Sequence, residues 1–399
     1  MVKGETADIT HELWEKLDVI LDNTSKMCHN IAMYDYSLFS KYIHKLLSIH
    51  FHSLSKPHLK TLSDLVVAMF NLDKFTLRDI ASRLPSKTHV KHKLKRLQNF
   101  LDRLNVDEEF WRSYVRMVFT LPYFQPRRRK RIILLMDSTT LKDDYWILAV
   151  SVIYRNRAIP IYLGIWERVN ESYDYWGRVR EVVRMAKEIL PGRYEYEIVA
   201  DRGFGSRRMW EICEEVGWDY VTRINDTYKV KVDGNGYKQL SLLDGYGYYE
   251  AVVLGKSKPY SGRRRGINLV VSEKGGKRWY IATSLRDRGM VIEDYKRRMW
   301  IEESFKDLKG RLKWERYTAK LPLLHRMRKL IIVSVMSYAI QLSLGGKVKV
   351  PRSEEEKESL ISRFNHIYVS TWRTVHLIFT RMISTVRIIV YRMCGYAFT

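Results

Sequence analysis

The sequence predicts a mixed α/β protein: a sheet flanked by helices, with a β-rich insertion and helical regions at both ends. Two observations carry that prediction. Between residues 132 and 224, the short apolar runs IILLMD, WILAVSVIY, AIPIYLGIWE, YEIVAD and WDYVTRI are interleaved with two amphipathic stretches, WGRVREVVRMAKEIL and RRMWEICEEVG. Outside that span, apolar residues recur at three- and four-residue steps, as in LWEKLDVIL and LSDLVVAMFNL.

Taken in order, residues 1–125 read as helical. Within them FTLRDIASRLPSKTHVKHKLKRLQNFLDRL reads as short helices around a turn at Pro85 and Ser86, then a longer basic helix. Thr76 is placed to cap the first of these, with Asp79 three residues on. His89, Lys91, His92, Lys93, Lys95 and Arg96 crowd the basic segment, which fits either a DNA-presenting helix-turn-helix, with Lys93 and Arg96 at the DNA, or a bundle with a solvated face. The run PRRRKR (126–131) marks a boundary, and the strand-and-helix core follows over 126–225. Residues 226–285 carry DGNGYK, DGYGYY, SGRRRG and EKGGKR between short aromatic or β-branched runs, the pattern of hairpins. Residues 286–320 return to helix, and 321–399 are expected to be helical and apolar.

Composition narrows the function. The 399 residues suggest two or three domains, and an apolar fraction of 46% excludes a disordered chain or a disulfide miniprotein. With 70 Lys and Arg against 45 Asp and Glu, the formal charge of +25 points to a polyanion such as nucleic acid. Cys28, Cys213 and Cys394 are scattered without a CxxC pair, and the N-terminus has no apolar secretion segment, so a reducing cytoplasmic setting is expected. Leu330 to Leu344 is broken by Ser334, Ser337, Gln341 and Ser343 and reads as a buried helix; no membrane partner is expected.

The eleven histidines all lie at or before His92 or at or after His325. The α/β core therefore has no imidazole base for Ser-His-Asp or Cys-His chemistry and no zinc ligand set. It has no GxxxxGK[ST] loop either, and no nucleotide cofactor is expected. Acids remain. Asp137 and Asp201 each close an apolar run, where strand ends face a crevice; each could equally be a structural cap. In IEDYKRRMWIEESFKDLKGRLKW, Arg298, Glu302 and Lys309 follow Tyr295 at offsets of 3, 7 and 14. On one helix, at about 100° per residue, these four share a wedge of roughly 60° beside the apolar stripe Ile301, Phe305, Leu308 and Leu312. Carboxylates without histidine suit hard cations such as Mg²⁺ or Mn²⁺.

The spacing Tyr295-x2-Arg298-x3-Glu302-x6-Lys309 resembles the YREK signature of DDE transposases of the insertion-sequence-4 superfamily. LLMDSTTL around Asp137 and IVADRGFGS around Asp201 are similar to that family's two Asp segments, and the acids are separated by 64 and then 101 residues. The resemblance spans residues 130 to 320. It implies an RNase H-like core with Asp137, Asp201 and Glu302 as catalytic triad and metal ligands for two Mg²⁺ or Mn²⁺ ions. It implies cleavage at the ends of a mobile element, then joining of the freed 3′-hydroxyl to target DNA. Tyr295, Arg298 and Lys309 would hold phosphates, Trp279 would stack on a flipped base, and Arg223 would touch phosphate. The partners implied are double-stranded DNA, as terminal inverted repeats and target, and a second copy of the chain, a homodimer on DNA. Two alternatives stay open: a metal-dependent nuclease on the same fold, and a domesticated DNA-binding protein without catalysis.

Overall fold

The computed structural model describes residues 36–121, 124, 131–142, 144–167, 174–232, 236–254, 264–317 and 324–345. LWEKLDVIL, most of PRRRKR, the first two residues of GRRRG and everything from residue 346 lie outside the described residues. The chain divides into two compact units, residues 126–305 and residues 1–125 with 306–399.

The first unit is built on one sheet. Its strands are β1 (Arg131–Leu141), β2 (Tyr145–Tyr154), β3 (Arg157–Glu167), β4 (Glu195–Ala200), β5 (Asp219–Arg223), β6 (Lys229–Val232), β7 (Lys238–Gln239), β8 (Gly247–Leu254), β9 (Arg264–Lys274) and β10 (Lys277–Thr283). Spatially they run β3-β2-β1-β4-β5-β10-β9-β8-β6-β7. β1, β4 and β5 pair in parallel, and the remaining pairings are antiparallel. The mixed sheet flanked by helices is the architecture the sequence led us to expect. The hairpins of the insertion do not form a sheet of their own. β10 joins β5 antiparallel from Ile281↔Arg223 to Thr283↔Val221, so the insertion extends the core sheet.

Two helices link the parallel strands. α6 (Tyr175–Ile189) starts at Asp174, whose carboxylate accepts the Gly177 amide, and buries Val179, Val182, Val183 and Ala186 against β2 and β3. α7 (Arg207–Val216) ends at Gly217, whose φ of 70° is the left-handed conformation that a glycine stop supplies. α8 (Arg288–Arg297) packs on β4, β5 and β9, and α9 (Met299–Gly310) continues it. At the start of β1, Arg131 pairs with the fully buried Glu197 and with Asp294 of α8. This ion cluster fixes α8 along the sheet, since a buried carboxylate is tolerated only with a partner.

The second unit comprises α1 (Tyr36–His50), α2 (Lys56–Ala68), α3 (Leu77–Ser82), α4 (Val90–Arg103), α5 (Glu108–Phe119) and α10 (Leu324–Gly345), with the end of α9. α10 is a buried helix, and its serines explain the polar breaks in the apolar run. Ser334 accepts the Trp314 indole N–H, and Ser337 donates to the Val66 carbonyl. Among the described residues no helix is long and apolar enough to cross a membrane.

His50, at the end of α1, carries a pH prediction. Burial, then the charges of Arg116 and His52, push its imidazole down to about 4. The folded chain keeps it neutral while the unfolded chain protonates near its ordinary value of about 6.5, so its contribution is complete above that pH and shrinks as pH falls toward 4. Denaturant unfolding followed at pH 7 and at pH 4.5 is expected to show a loss of up to roughly 3 kcal/mol from this group. His50→Phe should remove that part of the pH dependence.

Candidate active site

The sheet register brings the first two acids together. β1 pairs with β4 in parallel up to Met136↔Ala200, and the next residue on each segment is Asp137 and Asp201. Neighbouring strands run about 4.8 Å apart, so the two acids lie near each other, and the Asp201 charge acts on the Asp137 carboxyl. Asp137 does not end its strand as the apolar run suggested: β1 continues four residues to Leu141, held by pairing with β2 as far as Leu141↔Tyr145. The chain after Asp201 does leave the sheet. Asp201 caps a single 3-10 turn (Arg202–Phe204), accepting the Gly203 amide at 2.8 Å.

That turn lies tightly against β5. A methyl group on Gly205 would meet the Arg223 carbonyl oxygen at 1.9 Å, and the Gly205 carbonyl accepts the Tyr228 hydroxyl at 3.1 Å. Glycine is needed here for close backbone approach. Gly205→Ala is expected to lower stability by about 1–3 kcal/mol through overpacking and to displace the Asp201 segment, both visible in melting and amide spectra.

Glu302 comes from α9. The expected single helix across 295–309 is divided, with α8 ending at Arg297 and α9 beginning at Met299. Arg298 joins them in a tightened turn, its amide donating to the carbonyl of Tyr295 three residues back at 3.1 Å. No proline or glycine stands near the junction to announce it. α8 nonetheless keeps the register of the sheet. Asp294 meets Arg131 at the start of β1, and Arg298 meets Asp137 six residues further along the strand.

Arg298 lies between acids. Its guanidinium is 2.6 Å from Glu302 and 3.7 Å from Asp137, with only 15% of the side chain exposed. Burial pushes the Asp137 carboxyl up to about 6; the Ser138 amide and Arg298 pull it down, while Asp201 and Glu302 add like charge. Three carboxylates thus share one neighbourhood with one guanidinium among them. Their side chains offer only oxygen donors, with no imidazole among them. Among the described residues no three His, Cys, Asp or Glu side chains stand together as a metal-binding group.

The other residues singled out in the sequence divide into two sets. Tyr295, Arg223 and Trp279 gather beside the acids. The Tyr295 ring meets Trp279 edge-on at 5.0 Å, and burial raises its phenol while the guanidinium groups of Arg298 and Arg223 work against that shift. Arg223, the last residue of β5, donates to the Arg278 carbonyl at 3.2 Å. Trp279 in β10 is half-buried, with the Lys274 ammonium 5.6 Å over its ring, a contact that sequence spacing alone does not reveal. Lys309, Lys93 and Arg96 belong to the helical unit. Lys309 sits in the last turn of α9. Lys93 is buried and donates to the Leu84 carbonyl at 2.9 Å, and Arg96 pairs with the buried Asp64 at 3.0 Å. Both were expected at a DNA face, and both have internal partners because they lie on or beside the packed side of α4.

Residues 179–336 match the family model described as a transposase DDE domain. The matched stretch, under half of the chain, contains Asp201 and Glu302 and begins after Asp137. It supports a transposase. No curated protein matches the chain.

Proposed function

We propose that the chain is a DDE transposase that cuts DNA at the ends of a mobile element and joins the freed 3′-hydroxyl to target DNA. One observation supports this most: the parallel register aligns Asp137 with Asp201, and Arg298 ties Glu302 to the same place. Asp137, Asp201 and Glu302 would hold Mg²⁺ or Mn²⁺. When bound, such ions polarise the scissile phosphate and activate the attacking oxygen, work for which the core has no histidine.

The remaining tasks fall to side chains of the chain itself. Arg298 neutralises Asp137 and Glu302 in the free protein. Turned toward DNA, the same guanidinium can take a phosphate bidentately, and Lys309 can act as a point charge. Tyr295 positions Trp279 edge-on and leaves part of the indole accessible to a base, where stacking is worth about 1–3 kcal/mol. Arg223 holds the β10 backbone beside Trp279 through the Arg278 carbonyl.

The test uses linear duplex DNA carrying the inverted repeats that flank the coding region, incubated with protein and Mg²⁺ or Mn²⁺. Nicks at the repeat ends and joined products are expected. Random nicking without joining would favour the nuclease alternative and overturn the transposase reading.

A further inference from the structure

Ser304 stands where a packed helix would ordinarily carry an apolar residue. At about 100° per residue it shares one face of α9 with Ile301 and Phe305, and all three are buried. A hydroxyl is tolerated in such a place only with hydrogen-bond partners, and Ser304 has two. It donates to the Trp300 carbonyl one turn back at 2.8 Å, and it accepts the backbone N–H of Ala158 at 2.7 Å.

The Ala158 amide needs that acceptor. Ala158 is fully buried in β3, the outermost strand at its end of the sheet, so one side of β3 has no neighbouring strand to take its N–H groups. Apolar burial is non-directional, whereas a hydrogen bond from the sheet edge fixes both the rotation and the position of a helix turn. The turn fixed here is the one that carries Glu302, which lies between Trp300 and Ser304 in the chain. The Glu302 side chain is 36% exposed and pairs with Arg298. Once Arg298 turns toward DNA, as the proposed function requires, that tie is lost. The bond from Ala158 to Ser304 remains, because neither group takes part in the ion pair.

We propose that Ser304 is a positioning residue of the acidic site: through the Ala158 amide it holds the turn that aims Glu302 toward Asp137 and Asp201. It touches neither DNA nor cation and acts through Glu302 alone, in the way that outer partners orient the ligands of a metal. This rests on the reading of Glu302 as a cation ligand, and the test below separates the two.

The full-length protein is followed in two ways. Without divalent cations, hydrogen–deuterium exchange is read on peptides covering residues 155–160 and 299–305. Ser304→Ala is expected to speed exchange of the Ala158 amide by about fivefold and to loosen the Glu302 turn. Mn²⁺ affinity is then measured without DNA, by paramagnetic resonance of the free ion. Ser304→Ala is expected to bind Mn²⁺ about tenfold or more weakly. In a Glu302→Ala background the same substitution should change Mn²⁺ affinity no further, since its effect passes through Glu302. Ser304→Cys, close in size and a weaker acceptor, should show both effects in smaller measure, which covers an alanine variant that fails to fold. Ser337→Ala removes a buried serine bond to the Val66 carbonyl in the helical unit; it should lower the melting temperature and leave Mn²⁺ affinity unchanged. Unaltered exchange at Ala158 or unaltered Mn²⁺ affinity in Ser304→Ala would overturn the proposal, as would a loss of affinity that persists in full without Glu302. An unaltered protein that binds no Mn²⁺ would instead overturn the cation reading, and the exchange measurement would still decide whether Ser304 holds the Glu302 turn.

Discussion

Asp137→Ala, Asp201→Ala and Glu302→Ala are each expected to reduce strand cleavage by at least about 10³-fold, a loss of roughly 4 kcal/mol of transition-state stabilisation. The same substitutions should not unfold the chain. Asp137 is a partly buried charge crowded by two others, with the Arg298 guanidinium 3.7 Å away. Relieving that crowding should raise the melting temperature of the cation-free protein, and Asp137→Asn, the conservative version, should do so by ~2–4 °C. The unaltered protein should melt higher when Mg²⁺ is added, because binding to the folded state alone stabilises it. The three alanine variants should lose that rise. Cleavage that survives any one substitution would remove that residue from the triad.

Arg298→Ala is expected to have two separable effects. Without divalent cations, Asp137 and Glu302 lose the guanidinium between them, so the protein should melt lower, and Mg²⁺ should recover more of the loss than in the unaltered chain. With DNA, a charged hydrogen-bond donor to phosphate is missing, and binding to element ends should weaken by about tenfold or more. Arg298→Lys should restore part of the cation-free stability and little of the DNA binding, since an ammonium cannot reproduce the planar fork. Calorimetric melts and anisotropy titrations measure the two separately. Unchanged DNA affinity in Arg298→Ala would confine this residue to a structural role.

Parts of this arrangement were legible in the sequence for definite reasons. The strands of the core carry near-continuous apolar runs, as strands buried on both faces must, and this holds for the antiparallel β2 and β3 as well as for the parallel β1, β4 and β5. Asp137 and Asp201 stood out because each follows such a run and the core has no histidine to compete with them. Glu302 stood out through its spacing from Tyr295 and Arg298. The tightened turn at Arg298 was invisible, because no breaker residue marks it and every neighbouring residue is acceptable in a helix. The docking of β10 on β5 was also invisible, since hairpin signals specify local pairing and not which edge a hairpin meets. Lys93 and Arg96 misled because a basic cluster does not reveal which of its members turn inward. Lys93 reaches the Leu84 carbonyl and Arg96 reaches Asp64, contacts nine and 32 residues away in sequence.

The central claim is that three acids, far apart in the chain, act as one ligand set for divalent cations. A crystal of the protein with bound Mn²⁺, examined by anomalous scattering, tests it most directly. Manganese is expected between Asp137, Asp201 and Glu302, with Arg298 swung away from them. Manganese bound elsewhere, or beside the two aspartates with Glu302 still locked to Arg298, would contradict it.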